Sequence, residues 1–263
     1  MIIRYVRLYL YFLRFSFSRA MEFRVDFFFR IIMDIGYYGI NIGFYKLIFF
    51  HTDILGGWNM DQMLIFISGF LVIDAISMTV FANNIWALTE YINKGDLDYY
   101  LVRPVSSLFI LSLRDFAANS FINLLMAAGI MAWAIIRYPQ PFSLLSISTF
   151  TCLIMFGALL RYLVRMLFVI PVFWFHSGRG FEIVFFSMNR FIERPDRIFT
   201  GWMRLVLTTV LPFGIMASFP ARILFEHNNT VLLLHFFTIL CIFFLFILWL
   251  WKRGLQAYSS ASS

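Results

Sequence analysis

Reactive and metal-binding side chains are scarce in this sequence of 263 residues. Its two cysteines, Cys152 and Cys241, lie in apolar runs that suit neither a secretory disulfide nor a metal cluster, so we interpret them as small packing residues. The four histidines show no paired-ligand spacing: His51, His176, His227 and His235. The sequence therefore predicts no metal site.

A phosphate-binding loop is also missing. No Gly-x-x-x-x-Gly-Lys-Ser/Thr pattern occurs in the chain, so the sequence offers no backbone cradle for the phosphates of a nucleotide. Membrane-embedded enzymes place His, Asp, Ser or Glu side chains together, and the sequence shows no such cluster. These absences predict a chain that carries no catalytic residue and binds no cofactor.

Charged residues make up only 13% of the chain, whereas 62% of it is hydrophobic. A soluble fold would alternate polar and apolar helix faces, but most segments here are apolar on every side. Several runs reach the roughly 20 residues that a helix needs to cross a bilayer. The sequence predicts a single all-α, polytopic membrane domain over residues 1–263. Its six predicted spans are 27–49, 61–83, 107–136, 143–175, 203–220 and 230–251, with Pro171 expected to break the fourth near its end.

Basic residues fall mainly on one side of these spans. They precede the first span (Arg4, Arg7, Arg14, Arg19, Arg24) and follow the second (Lys94, Arg103), the fourth (Arg179, Arg190, Arg194, Arg197) and the sixth (Lys252, Arg253). By the positive-inside rule, both termini are predicted to be cytoplasmic. The net charge of +7 is thus a topology signal and does not indicate binding of nucleic acid.

Residues 1–26 are predicted to form an amphipathic helix in the cytoplasmic interface. Arg14 interrupts the apolar stretch that a signal peptide would need. At 100° per residue, Arg4, Arg7 and Arg14 gather on one side of a helix, while leucine and phenylalanine side chains cover much of the remainder. Such a helix can turn its arginines towards lipid headgroups. The alternative is an ordinary basic flank that only sets the topology.

The most polar stretch of the first half, NKGDLDYYLVRP, lies in a predicted cytoplasmic loop, residues 84–106, which we call the polar loop. A helix continuing from the second span can end at Gly95 in a left-handed conformation, and Asp96 can cap the next turn of helix. Pro104 stops regular structure before the third span. We expect the loop to present five charged side chains to water: Glu90, Lys94, Asp96, Asp98 and Arg103.

Four motifs, in this order along the chain, resemble permease subunits of type-2 ABC exporters, in a six-span branch of similar length. The polar loop matches Gly-x-Leu-Asp-x-x-Leu-x-Arg-Pro at Gly95, Leu97, Asp98, Leu101, Arg103 and Pro104. The other three motifs are VFWFHSGRG at 172–180, VLPFGIMASFPARILF at 210–225 and WKRGLQAYSSASS at 251–263. The resemblance covers nearly the whole chain.

The resemblance implies a permease with the type-2 ABC exporter fold in a prokaryotic inner membrane. Such a subunit dimerises with itself or with a related permease and binds two cytoplasmic ABC ATPase subunits, which hold the ATP and Mg²⁺. The loop between the second and third spans is then the coupling helix, seated in a groove of the ATPase. Coupling roles are thereby implied for Glu90, Lys94, Gly95, Asp96, Asp98, Arg103 and Pro104. The alternative is that Asp98 and Arg103 pair with each other and only shape the loop.

Three charged residues lie inside predicted spans, where a charge costs at least about 2.5 kcal/mol by insertion scales. They are Asp74 in the second span, and Arg161 and Arg165, spaced i, i+4 on one face of the fourth. Asp74 is expected to pair with one of the arginines. The same residues could instead line a path for an anionic or amphiphilic substrate. A third hypothesis is that Asp74 is the titrating group of a proton-coupled secondary transporter.

Three further segments carry predictions. Residues 176–202 alternate phenylalanines with charges and are expected to form a cytoplasmic amphipathic segment. Residues 212–229 are expected to form a re-entrant or outer segment, with Pro212, Gly214 and Pro220 as breakpoints; the alternative is one kinked span followed by a loop. A stripe of three glycines in the first span favours close helix packing, within the chain or across a dimer: Gly36, Gly39 and Gly43.

Overall fold

Helices form every regular element in the part of the chain that the computed structural model describes, which is residues 2–20, 24–226 and 230–258. The α-helices are α1 Ile2–Ala20, α2 Arg24–Phe49, α3 Met60–Ile76, α4 Ala82–Lys94, α5 Asp98–Leu101, α6 Ser107–Leu113, α7 Phe121–Arg137, α8 Leu144–Val169, α9 Val172–Phe175, α10 Arg179–Asn189, α11 Gly201–Leu205, α12 Ser218–Phe225 and α13 Thr230–Ala257. The prediction of an all-α chain is confirmed.

Three helical segments are long and apolar enough to cross a bilayer, judged by length and composition over the described ranges. They are Met60–Lys94, Leu144–Phe175 and Thr230–Ala257; Phe121–Arg137 is apolar but shorter. A π-helical turn, Ser77–Phe81, joins α3 to α4 within the first of them. Pro171 stands at the N-cap of α9, where it separates α8 from α9, as predicted. The count of six spans stays a prediction.

The described part of the N-terminal segment is helical. The helix α1 covers Ile2–Ala20, α2 begins at Arg24, and the interfacial position of residues 1–26 stays a prediction. The α1 helix packs against the start of the third predicted span: the Tyr5 and Phe109 ring centroids are 4.7 Å apart, and the Ser16 hydroxyl accepts a hydrogen bond from Phe116 N at 3.2 Å. Residues 1 and 21–23 lie outside the described part of the chain.

Helix contacts define two ends of the bundle. At the loop end, Gly178 lies against Thr89, and the Trp251 indole donates to the Ser107 hydroxyl. At the far end, Gly56 lies against Pro195 and Ile198, and Arg197 pairs with Glu226 at 2.6 Å. The polar loop and the C-terminal turn of α13 therefore share one end, and the α2–α3 connection lies at the other.

Residues 176–202 were predicted to form a cytoplasmic amphipathic segment, and their side of the membrane stays a prediction. The segment starts at the loop end, beside Thr89, and reaches the far end at Pro195 and Ile198. Between these points, α10 packs along α8, with the Phe168 and Phe185 ring centroids 5.8 Å apart. The segment thus runs the length of the bundle, in the position that the prediction gave to the fifth span. Phe185 and Phe199 are buried against neighbouring helices, whereas Phe186 is partly exposed.

The predicted fifth span, 203–220, is wrong, because this stretch dips into the bundle and returns. It leaves the far end through α11 and a π-helical turn, Val206–Val210, and breaks at Pro212–Gly214. Met216 then lies against Gly157, near the middle of the α8–α9 segment, before α12 returns to the far end. The structure thus supports re-entrant geometry with breakpoints at Pro212 and Gly214. Pro220 lies inside α12 and is not a breakpoint.

The tip of this hairpin makes Gly157 a sensitive position. A Cβ atom at residue 157 would lie 2.4 Å from Met216 O and 3.1 Å from Ile73 Cδ1. We expect Gly157→Ala to lower stability by about 1–3 kcal/mol, because the clash involves backbone that cannot move freely. The thermal unfolding midpoint in detergent measures the loss. Gly129→Ala is the matched control, since a Cβ there meets nothing within 4 Å. Equal midpoints for the two variants would contradict the hairpin packing.

Small residues on two surfaces do not pack as predicted. A Cβ added at Gly36, Gly39 or Gly43 would meet no atom within 4 Å, so the glycine stripe of α2 faces outward and is not used for packing inside the chain. Both Cys152 and Cys241, interpreted from the sequence as small packing residues, are exposed as well. The stripe leaves a close-approach surface free on α2.

Candidate functional site

The sequence predicted the local structure of the polar loop at two turn residues, Gly95 and Asp96, and the structure agrees at Gly95. Gly95 ends α4 in the left-handed region, with φ of 82°, as predicted. The next helix, α5, has Leu97 at its N-cap and no side-chain cap, so the prediction that Asp96 caps it is wrong. Instead, Leu97 N donates to Tyr91 O at 3.2 Å and folds the turn back onto α4. The loop therefore folds as a compact knob of two helices joined by a turn.

Aromatic stacking anchors this knob to the bundle. The buried Tyr100 ring lies 5.2 Å from the Tyr91 ring, and Arg114 donates a hydrogen bond to the Tyr100 hydroxyl. Burial, more than the hydrogen bond with Tyr91, raises the pKa of the Tyr100 phenol to about 12. The Arg103 guanidinium lies 4.3 Å from the Tyr99 ring centroid, within the range of a cation–π contact. The Tyr100 ring and the two arginines, Arg103 and Arg114, therefore hold the base of the loop against the bundle.

Asp98 and Arg103 do not pair with each other in the described part of the chain, so the simple loop-shaping alternative is not observed. Arg103 stacks on Tyr99, while Asp98 lies beside Tyr258, just after α13. Burial, followed by the charge of Asp98, raises the pKa of the Tyr258 phenol. Asp98 is thus close enough to act on Tyr258 electrostatically, although the Tyr258 hydroxyl has no hydrogen-bond partner among the described residues.

Two of the sequence motifs meet at the loop end. A Cβ at Gly254 would lie 2.5 Å from Phe173, so α13 approaches α9 as closely as glycine permits. The Phe173 ring also lies 5.5 Å from that of Trp251, whose indole donates to the Ser107 hydroxyl at 3.3 Å. The motifs at 172–180 and 251–258 therefore pack together around Phe173, and Trp251 joins them to the start of α6.

The outer surface of the polar loop presents both charge and exposed apolar side chains. Val102 is 82% exposed and Tyr99 is 62% exposed, and Asp96 beside them faces solvent. Glu90 and Lys94 form an exposed i, i+4 ion pair, and the hydrogen bond with Glu90 raises the pKa of Lys94. Pro104 is exposed as well. A contiguous apolar tip with a charged rim is the surface composition of a protein interface.

The three charges predicted inside spans do come together. Arg161 Nη2 lies 2.6 Å from Asp74 Oδ1, with both side chains largely buried, so the expected ion pair is present. Arg161 Nε also donates to Asn189 Oδ1, on α10, at 3.0 Å. Arg165 makes no ion pair within the described residues and lies 5.5–5.6 Å from the rings of Trp86, Phe185 and Phe186. The pair joins α3, α8 and α10.

The contact between a π-helical turn and a helix break was not predicted. The π-helical turn Ser77–Phe81 faces a break between α6 and α7, where Ala117 N donates to Thr79 O at 2.8 Å. The Asn84 side chain and the Asp115 backbone exchange two hydrogen bonds of 2.8 Å each. Broken backbone at this depth persists because such partners satisfy it. The polar run RDFAANS, at 114–120 inside a predicted span, was the available signal.

A charge cluster at the far end was also missed. Asp196 is fully buried and accepts hydrogen bonds from Arg204 at 2.9 Å and Arg222 at 3.1 Å. Arg222 Nε also donates to Glu226 at 3.0 Å, and Asp196 N donates to the Ser218 hydroxyl at 3.0 Å. These contacts tie the segment after α10 to the returning helix α12. Their sequence signal was ambiguous, because short charged stretches next to prolines are typical of loops.

These features define a class of protein. A helical bundle with several apolar helices of bilayer length is typical of a membrane-embedded protein. Residues 35–262 match the model of the family described as ABC-2 family transporter protein. The match spans most of the chain, so the chain belongs to this family and is a permease of the ABC-2 type. No curated protein and no solved structure matches it.

Proposed function

We propose that this chain is the permease subunit of an ATP-driven exporter, which takes its driving force from a separate cytoplasmic ATPase through the polar loop. The family establishes an ABC transporter permease in general. The observation that carries the finer proposal is the exposed tip of Tyr99 and Val102, held on a rigid base by Tyr100, Arg103 and Arg114. A partner can displace such a knob without deforming it.

Movement of the polar loop would reach the other helices through the packed unit at the loop end. Asp98 lies beside Tyr258, and Ser107, at the start of α6, accepts a hydrogen bond from Trp251. Gly254 and Phe173 connect α13 to α9 at the shortest approach of the two helices. Displacement of the loop would therefore move α6, α9 and α13 together. Rigid-body movement of packed helices is the usual basis of alternating access.

The remaining parts of the proposal concern partners and location. The permease would act as a homodimer or a heterodimer, and the outward-facing Gly36, Gly39 and Gly43 stripe of α2 offers a close-approach surface for the second copy. Two ATPase subunits would bind ATP and Mg²⁺, while this chain would bind neither. We place it in a prokaryotic inner membrane with both termini and the polar loop cytoplasmic, following the distribution of basic residues.

The buried ion pair argues against the alternative of a proton-coupled secondary transporter that uses Asp74. A proton carrier would have to separate Asp74 from Arg161 in each cycle, and breaking a buried pair costs about 3–5 kcal/mol. Arg161 is also held by Asn189, so it cannot swing away without losing a second contact. We assign this pair a bracing role among α3, α8 and α10.

Photo-crosslinking tests the coupling proposal directly. A benzoylphenylalanine residue in place of Tyr99, in native membranes, is expected to form an adduct with a polypeptide that contains a phosphate-binding loop, identified by mass spectrometry. Phe50, an exposed aromatic residue at the far end, is the matched control position and should capture no ATPase. Absence of an ATPase adduct at Tyr99, with efficient adduct formation elsewhere, would overturn the proposal.

A further inference from the structure

A narrow cleft lies beside the π-helical turn, between that turn, α8 and α10. Its lining residues are Ser77, Met78, Phe81, Ile85, Arg161, Tyr162, Arg165, Phe185 and Phe186. Two partly exposed rings, Trp86 and Phe186, stand at its outer side. The cleft therefore connects the buried arginines of α8 with the surface of the bundle.

Both arginines of the cleft keep an unused hydrogen-bond donor. Arg161 is 5% exposed and Arg165 is 7% exposed, yet Arg161 Nη1 and Arg165 Nη2 have no hydrogen-bond partner. Leaving a buried donor of a charged group unsatisfied is unfavourable, so such donors mark a place where an acceptor is missing. The two residues stand one helical turn apart, and both line the same cleft.

Protein groups nearby do not supply that acceptor. Asp74 is already held by Arg161 Nη2, and Asn189 by Arg161 Nε. Glu182, on α10, is near enough to act on Arg165 electrostatically, but it forms no ion pair with it among the described residues. The faces of Trp86, Phe185 and Phe186 stabilise the charge of Arg165 and accept no bond in the plane of its guanidinium.

We infer that this cleft binds the anionic group of a membrane amphiphile, a phosphate or a carboxylate, between Arg161 and Arg165. Guanidinium groups match the planar or tetrahedral oxygens of such anions. The cavity volume is only about 10 Å³, enough for about one water, so entry requires the exposed Trp86 or Phe186 ring to rotate. The apolar chains of the ligand would remain at the bundle surface beside these two rings.

This inference names the substrate class of the transporter, and its role in export rests on the proposed function. Binding itself needs no ATPase, so it can be measured on the full chain alone. A failure to bind would leave the coupling proposal intact, whereas a failure of the Tyr99 crosslink would leave the anion site intact.

The test compares three probes on the purified chain in a neutral detergent. Dioleoyl phosphatidate is expected to raise the thermal unfolding midpoint in a saturable way, and dioleoylglycerol, which has the same chains without the phosphate, is not. Inorganic phosphate should have little effect, because the apolar chains supply part of the affinity. Equal shifts with phosphatidate and dioleoylglycerol would overturn the site. A full shift with inorganic phosphate alone would overturn its assignment to an amphiphile.

Variants then locate the site. Arg165→Gln is expected to weaken phosphatidate binding by about tenfold, the loss of one charge-assisted hydrogen bond. Arg165→Lys keeps the charge for folding but lacks the planar fork, and should also bind more weakly than the native chain. Arg179→Gln, an exposed arginine just before the α10 phenylalanines, is the matched control. Native affinity in both Arg165 variants would overturn the inference.

Discussion

Replacing Val102 with aspartate is expected to remove the ATPase from the purified transporter while the permease stays folded. Val102 is 82% exposed at the tip of the polar loop, so the new carboxylate costs the free permease little. In a complex it would be buried in the centre of an apolar contact without a partner. Central interface residues contribute at least about 2 kcal/mol, so we expect binding to weaken at least about 30-fold.

The measurement is the amount of ATPase that remains with tagged permease after washing, together with the thermal unfolding midpoint of the permease. Val231→Asp is the matched control, because Val231 is an exposed valine near the start of α13, at the far end. The control should retain native amounts of ATPase. If Val102→Asp also retains native amounts, the tip of the polar loop is not the contact surface.

Replacing Arg161 with glutamine is expected to give the largest loss of stability in the chain, about 3–5 kcal/mol. The change leaves Asp74 buried without its cation and removes the charge-assisted bond to Asn189. Because the pair joins α3, α8 and α10, its loss should loosen the centre of the bundle. Unfolding midpoints in detergent measure the effect.

The double variant Asp74→Asn with Arg161→Gln separates the pair from its surroundings. Removing both charges leaves no uncompensated carboxylate, so the double variant should be more stable than Arg161→Gln alone. Arg190→Gln, at the exposed C-terminal end of α10, is a control for the loss of one arginine near the same helix. Additive losses in the double variant would show that the two residues do not act as a pair.

Local chemistry made parts of the loop end predictable from sequence. Gly95 could be assigned a left-handed helix end because only local sterics decide that conformation, and the structure gives it φ of 82°. The pairing of Asp74 with an arginine was predictable because a buried charge has few stable alternatives. That Asp74 pairs with Arg161 rather than Arg165 was not predictable, since the choice depends on which turn of α8 faces α3.

The other predictions failed where the structure depends on tertiary packing. The α10 helix is short, and its phenylalanines share it with Glu182 and Asn189, so its pattern indicated an interfacial segment. Its polar groups are tolerated inside the bundle because partners on other helices hold them, as Arg161 holds Asn189. The prediction of a membrane span at 203–220 failed for a similar reason. An apolar run near bilayer length does not reveal that it turns back at Pro212, where it meets Gly157 through Met216.

The environment of the predicted site residues also depends on tertiary packing. The sequence assigned coupling roles to charged residues of the loop, among them Asp98 and Arg103. In the structure, Asp98 lies beside Tyr258 and Arg103 stacks on the Tyr99 ring. Exposed apolar residues, Tyr99 and Val102, form the tip instead. The contact of Asp98 with the C-terminal end joins positions far apart in the chain, which no local pattern could reveal. All the assigned coupling roles stay predictions: Glu90, Lys94, Gly95, Asp96, Asp98, Arg103 and Pro104.

Purification of the native chain from its own membrane tests the central claim most directly. Native mass spectrometry of that preparation is expected to show a stoichiometric ATPase subunit bound to a permease dimer, with ATP hydrolysis that depends on an intact polar loop. A permease that carries no ATPase, and whose transport in vesicles follows a proton gradient instead, would contradict the account.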